Sequence, residues 1–226
     1  MSKKIKPCIP NEDQNIFSEG IDYSKTGKTS IWGHGDKDTL KLLEKIEIHG
    51  RWLNLAAGDW GYTPKLLKKV DFVVAADIDG SALSKLKRNT FKKYAKKFET
   101  QVFDITKKFP LRSHEFDGVF CTGTLHLFTK GVLKKIFLEI DRVLKPKGRV
   151  VIDYATDIKR VTTEGKSLTF GREPLYTTRK AIVMLRKLFK DYKITLSVSE
   201  CPKYLIKTKP HYWFSSKFIL LVADKK

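Results

Sequence analysis

Arg51-Trp-Leu-Asn-Leu-Ala-Ala-Gly-Asp-Trp-Gly-Tyr62, with Ala76-Asp-Ile-Asp79 beyond it, decides the fold of this chain. The first stretch reads as an apolar strand running into a turn of small residues. The second is the tip of another strand, ending in carboxylates, with Asp77 eighteen residues beyond Asp59. A strand, a tight turn, a helix and a second strand tipped by an acid place a nucleotide-bearing ligand over the turn. The acid then lies where it can hold ribose hydroxyls.

Working outward, Phe72-Val-Val-Ala-Ala76 is a continuous apolar run, the mark of a strand buried on both faces. Before the opening stretch, Asp36 or Asp38 caps a helix running to about Ile48. After it, Pro64 opens a short helix, and a long basic helix is predicted from about Ser81 to Phe98. Gln101 to Asp104 and Phe116 to Cys121 read as the next two strands. Val132, Leu133, Ile136, Phe137, Ile140, Val143 and Leu144 recur with the helical period over Lys130 to Leu144. Lys145-Pro-Lys-Gly148 stops that helix, and Arg149 to Asp153 is a fifth strand. Strands alternating with helices predict an α/β fold with a doubly wound, mostly parallel sheet and helices on both faces.

The tail departs from this alternation. A hairpin is predicted around Glu164-Gly165-Lys166, a helix over Thr177 to Lys190, then strands over Tyr192 to Ser199 and Trp213 to Val222 with no helix between them. Two such strands pair antiparallel at the sheet edge. Residues 1–35 are polar and turn-rich, an arm or lid in which Trp32 and His34 either close over the ligand or pack on the sheet's edge. Residues 36–226 form a single domain, with 158–176 a hairpin insertion beside the substrate cleft.

The chain of 226 residues is long enough for one such core, and its apolar runs are too short to span a bilayer. Cys8, Cys121 and Cys201 are scattered, with no disulfide framework and no zinc-site spacing, so a reduced, cytoplasmic setting is expected and no metal. A net charge of +20, from 45 bases against 25 acids, attracts polyanions, with lysine-rich thermophilic composition as the alternative. Lys92, Lys93, Lys96 and Lys97 form a solvated face. Lys203-Tyr204, Lys207, Lys209 and His211-Tyr-Trp-Phe214 interleave bases with aromatics, either for stacking on single-stranded RNA or as a hairpin turning its rings inward.

Ala56-Ala-Gly58-Asp-Trp-Gly61 is close to a dinucleotide fingerprint, but its first glycine is replaced, and Trp60 crowds the approach a pyrophosphate needs. An amino-acid tail tolerates a bulkier turn. Four pieces then follow in order: Leu53-Asn-Leu-Ala-Ala-Gly58, Ala76-Asp-Ile-Asp79, Val102-Phe-Asp-Ile105, and Phe116 to His126 leading to Glu139-Ile-Asp-Arg-Val-Leu-Lys-Pro-Lys-Gly148. In this set, spanning about Arg51 to Tyr154, the chain resembles the class I S-adenosylmethionine-dependent methyltransferases, with their Rossmann-like fold. The resemblance implies a seven-stranded sheet whose last strand runs antiparallel, and S-adenosylmethionine as cofactor. It implies that Ala56 and Gly58 lie against the methionine portion, with Asn54 and Trp60 as departures from the family's acid and glycine. Asp77 would hold the ribose, Ile78 and Ile105 the two faces of adenine, and Asp104 its amino group. Cys121, Thr122 and Gly123 would line the cleft.

Residue by residue, alternatives stand beside these roles. Asp77 also reads as a helix-capping carboxylate, Asp104 as the cap of the turn into Thr106, and Cys121 as a small core residue. His126 is the candidate to orient substrate or take a proton, or else a buried structural histidine. The expected activity is methyl transfer to an acceptor that is RNA or a small metabolite. A non-catalytic S-adenosylmethionine-binding RNA module and an NAD-dependent oxidoreductase are the competing readings.

Overall fold

Helix and strand alternate along the chain from Lys37 to Val102 and again from Phe116 to Thr162, and this order builds a parallel sheet because each crossover returns the chain to the same starting edge. The computed structural model describes residues 23–27, 36–59, 61–90, 92–169, 173–206 and 211–226. Its strands are β1 (Arg51–Leu55), β2 (Phe72–Asp77), β3 (Phe98–Val102), β4 (Phe116–Cys121), β5 (Leu144–Thr162), β6 (Tyr192–Ile206) and β7 (Tyr212–Lys225). They form one seven-stranded sheet in the order β3-β2-β1-β4-β5-β7-β6. Six strands run parallel, and β7 lies antiparallel between β5 and β6. The order reverses at β1, so the ends of β1, β2 and β4 meet where a ligand crevice forms in such sheets.

The helices are α1 (Lys37–Lys45), α2 (Thr63–Leu66), α3 (Gly80–Asn89), α4 (Lys130–Val143) and α5 (Thr178–Leu188). On one face, Leu133, Ile136, Ile140, Ala181 and Leu185 pack on Leu53, Leu55, Val119, Val150, Ile152 and Leu221. On the other, Leu43, Leu66, Leu67 and Val70 pack on Trp52, Val73, Phe120 and Val151, while Leu83 and Leu86 of α3 cover Ala75. Cover on both faces is why Val73 to Ala76 are all fully buried and apolar. Asp36 caps α1, its carboxylate accepting from the amides of Asp38 and Thr39. Trp52 lies against Gly118 of the neighbouring strand, where an added Cβ would come within 2.2 Å of the indole.

Several expected boundaries shift. The long helix predicted to Phe98 ends at Asn89, since Thr90 turns extended while its N–H closes on Leu86 O. Lys92–Lys97 form a separate 3-10 turn, and β3 starts at Phe98 rather than Gln101. Phe98 pairs with Val73 and packs against the core, which draws the strand start forward and leaves Asp104 beyond the strand's end. α1 stops at Lys45 rather than Ile48, because Lys69 donates to the carbonyls of Leu43, Glu44 and Ile46 and so ends it.

The last three strands are longer than their sequence signal. Past an irregularity between Thr156 and Lys159, β5 continues to Thr162 beside Tyr212–Ser215, while Tyr204–Ile206 of β6 follow on the other side. The chain then turns at Gly165, and Ser167 bridges back to Val161. This ribbon extends β5 beyond the carboxyl end of β4, bringing Arg160 to the rim of the crevice.

Candidate active site

Leu55 ends β1 and the chain turns through Ala56 at φ 51°, Gly58 at φ 61° and Gly61 at φ 34°. Ala56 holds a left-handed backbone at a cost of about 1–2 kcal/mol relative to glycine, so the turn is over-determined by its surroundings. Ala57 N–H donates to Ala76 O at 2.9 Å, and Gly58 N–H to Asp77 Oδ2 at 2.9 Å. Asp77 Oδ1 accepts from Asp79 N–H at 3.0 Å. One carboxylate thus ties the turn after β1 to the start of α3. Burial raises its pKa, and the amides of Asp79 and Gly58 oppose the rise. A Cβ added at Gly58 would meet nothing within 4 Å, so the space before the turn is open.

Beneath the turn, Asp59 and Lys85 are 1% and 0% exposed and pair at 2.6 Å. Lys85 Nζ also donates to Thr26 Oγ1 at 2.7 Å, which fastens residues 23–27 to α3. Asn54, buried within β1, donates its amide to Thr63 Oγ1 at 2.8 Å and holds the start of α2 behind the turn. Ile78, 43% exposed, presents an apolar side chain at the tip of β2. Phe103 N–H donates to Asp77 O and carries the following residues to this edge. There Asp104 Oδ1 accepts from both the amide and the hydroxyl of Thr106, which leaves Oδ2 for a ligand donor. Ile105 packs into the main core at 7% exposure, so most of its side chain is spent on the fold.

At the end of β4, Cys121 is fully buried in the core, and burial pushes its thiol pKa well up, which disfavours the thiolate. Thr122 and Gly123 follow it at the edge. Gly123 N–H donates to Asp153 Oδ1 at 2.7 Å, linking this loop to β5. Asp153 is buried, and desolvation pushes its pKa up to about 7. His126 stands in the next turn, Leu125–Leu127. Burial first, then the charge of Arg160, pushes its pKa down to about 4, so the imidazole is neutral above that pH. Its Nδ1 is buried and has no hydrogen-bond partner among the described residues. Trp60, Trp32 and His34 lie outside the described residues, as do Lys207 and Lys209.

The predicted set therefore gathers Ala56, Gly58, Asp77, Ile78, Asp104, Thr122 and His126 along one edge, with Asn54, Ile105 and Cys121 packed behind it. Residues 53–152 match the family model for the methyltransferase domain. The chain is similar to this family over these residues. Its fold is similar to DhpI in complex with SAH at TM-score 0.59 and 20% identity, over 82% of this chain and 81% of that one. It is also similar to BH2331 of Bacillus halodurans at TM-score 0.62 and 16% identity, over 82% and 98% of the two chains. A SAM-dependent methyltransferase from Aquifex aeolicus aligns at TM-score 0.53 and 18% identity, over 80% and 89%. No curated protein sequence matches the chain.

Reading the sequence missed three residues of this candidate site. Asp153 and Tyr154 follow an apolar strand directly, a signal of the kind used for Asp77, and were legible in principle. Lys85 was not, because nothing in a lysine-rich helix marks the one lysine that turns inward. Among the described residues there is no cluster suited to a metal, and no helix long and apolar enough to cross a membrane.

Proposed function

We propose that this methyltransferase draws its methyl group from S-adenosylmethionine and passes it to a hydroxyl or amine of a small molecule. The observation that carries the reading is Asp77 held by the Gly58 and Asp79 amides beside an open turn. Each Asp77 oxygen accepts one backbone N–H and keeps a lone pair for a ribose hydroxyl. Exposed Ile78 suits one face of adenine, Asp104 Oδ2 suits its amino group, and the space before Gly58 admits the methionine tail. When bound, S-adenosylmethionine supplies a sulfonium-activated methyl group: the acceptor's lone pair forms the new bond as the C–S bond breaks, and that electron pair stays on sulfur.

The chain's own part is alignment and exclusion of water. Neutral His126 accepts a hydrogen bond from the acceptor's O–H or N–H and so aims the lone pair. A ring with so acidic a conjugate acid takes the proton only as the new bond forms, when the alkylated oxygen has become a strong acid. An unprotonated amine needs no base at all.

Calorimetry with S-adenosylhomocysteine and NAD(H) tests the donor. We expect the first to bind and Asp77→Ala to weaken it about 10–100-fold, the loss of charged hydrogen bonds; binding of NAD(H) alone overturns the reading. His126→Asn is expected to slow transfer to a hydroxyl by about 10²–10⁴ with the affinity for S-adenosylhomocysteine intact. Turnover that stays unchanged across pH removes the role.

A further inference from the structure

Three buried side-chain polar atoms lack a hydrogen-bond partner among the described residues, and two of them, His126 Nδ1 and Tyr154 Oη, belong to neighbouring rings. The two rings meet edge-on, with centroids 6.4 Å apart and planes at 85°. Tyr176 lies 6.4 Å from Tyr154 on another side. Tyr154 itself is 0% exposed, so its hydroxyl has surrendered water and received nothing in return. Leaving such a group unpaired in a fold is costly, and the cost concentrates where a ligand completes the bond. His126 lies just beyond β4, and Tyr154 lies within β5 beside Asp153, which accepts from the Gly123 amide of the loop after β4.

The charge around them is balanced. Arg160 is near enough to depress protonation of His126, yet its guanidinium is bound in bidentate fashion by Glu173 at 2.6 and 2.9 Å. Both partners are almost fully buried, at 8% and 3% side-chain exposure. An anionic ligand would have to displace Glu173 from a buried pair, and a cation would meet the guanidinium itself, whose Glu173 partner is already engaged. Phe214 lies under Arg160, 5.7 Å from ring centroid to guanidinium carbon.

We infer that His126 Nδ1 and Tyr154 Oη together form the acceptor site, and that it takes an uncharged molecule with a compact apolar body and one hydroxyl or amino group. For a hydroxyl, Tyr154 donates to one lone pair of the oxygen while His126 accepts its O–H, and the second lone pair stays free to attack; an amine, with a single lone pair, is held by His126 through its N–H. This rests on the methyl-donor reading above and adds the class of substrate to it.

Thermal shift and calorimetry on the full chain, saturated with S-adenosylhomocysteine, read the site directly. The probes are phenol and aniline, uncharged, against benzoate and benzylammonium of similar size. Phenol and aniline are expected to bind and the charged pair not. Tyr154→Phe keeps the ring, so the variant is expected to melt at the same temperature as the parent or higher, while phenol binding weakens about five- to tenfold. Benzoate binding as well as phenol, or unchanged phenol binding in Tyr154→Phe, overturns the inference. Failure of S-adenosylhomocysteine to bind the parent chain overturns the donor reading instead. Its binding without any response to phenol or aniline sinks the acceptor inference alone.

Discussion

Asp153 and His126 titrate in opposite senses, and their sum hides both. Asp153 has its pKa raised from 3.8 to about 7, so its stabilising protonated form is fully present below 3.8 and lost as pH rises through about 7. His126 has its pKa lowered from 6.5 to about 4, so its contribution is present above 6.5 and lost as pH falls through about 4. Between pH 4 and 6.5 the two slopes cancel. Asp153→Asn keeps an acceptor for Gly123 N–H and removes the buried charge. It is expected to stabilise the protein at pH 8 by up to about 4 kcal/mol and by much less at pH 5, measured by denaturant unfolding at both values. A stability difference that does not vary with pH would show that Asp153 is not the group titrating. The position of Asp77 at the tip of a strand was readable from the sequence. The neutral state of His126 was not, because it depends on burial and on Arg160, thirty-four residues away.

Elements in this fold are joined by a few side chains that sequence periodicity does not reveal. Helix α3 holds the cofactor turn through Lys85, which reaches Asp59 on one side and Thr26 on the other. Removing one partner of a buried ion pair strands the other, so Lys85→Met is expected to cost about 3–5 kcal/mol in denaturant unfolding. Adding Asp59→Leu should recover a good part of that loss. A loss under about 1 kcal/mol in the single variant would mean that water reaches Asp59. The cofactor affinity of the single variant should fall as well, since Asp59 follows Gly58 directly. The sequence marked α4 clearly through its seven apolar positions, and missed the break at Asn89. The forward start of β3 is set by Phe98 pairing with Val73, a contact between elements that no local propensity contains.

For the whole molecule the largest unexplained quantity is the charge of +20. A surface this basic is expected to associate with RNA in a salt-sensitive way, weakening at least tenfold between about 50 and 200 mM salt through counterion release. Lys203 over Trp213 and the exposed Tyr204 on the ribbon are where bases would stack. We expect that association to be separate from catalysis: methyl label from radioactive donor should appear in a small-molecule pool and not in total RNA. Label in RNA would overturn the acceptor class inferred for His126 and Tyr154. The sequence alone determined the strand–turn–helix–strand unit and the carboxylates at its tips, because alternating apolar runs and small-residue turns are local chemistry. It also determined the parallel order, since strands separated by helices must return the same way. Only the tertiary structure decided which polar groups are left unpaired. Tyr154, Arg160 and Glu173 acquire meaning through what surrounds them, and burial and pairing depend on residues that the chain brings together from far apart.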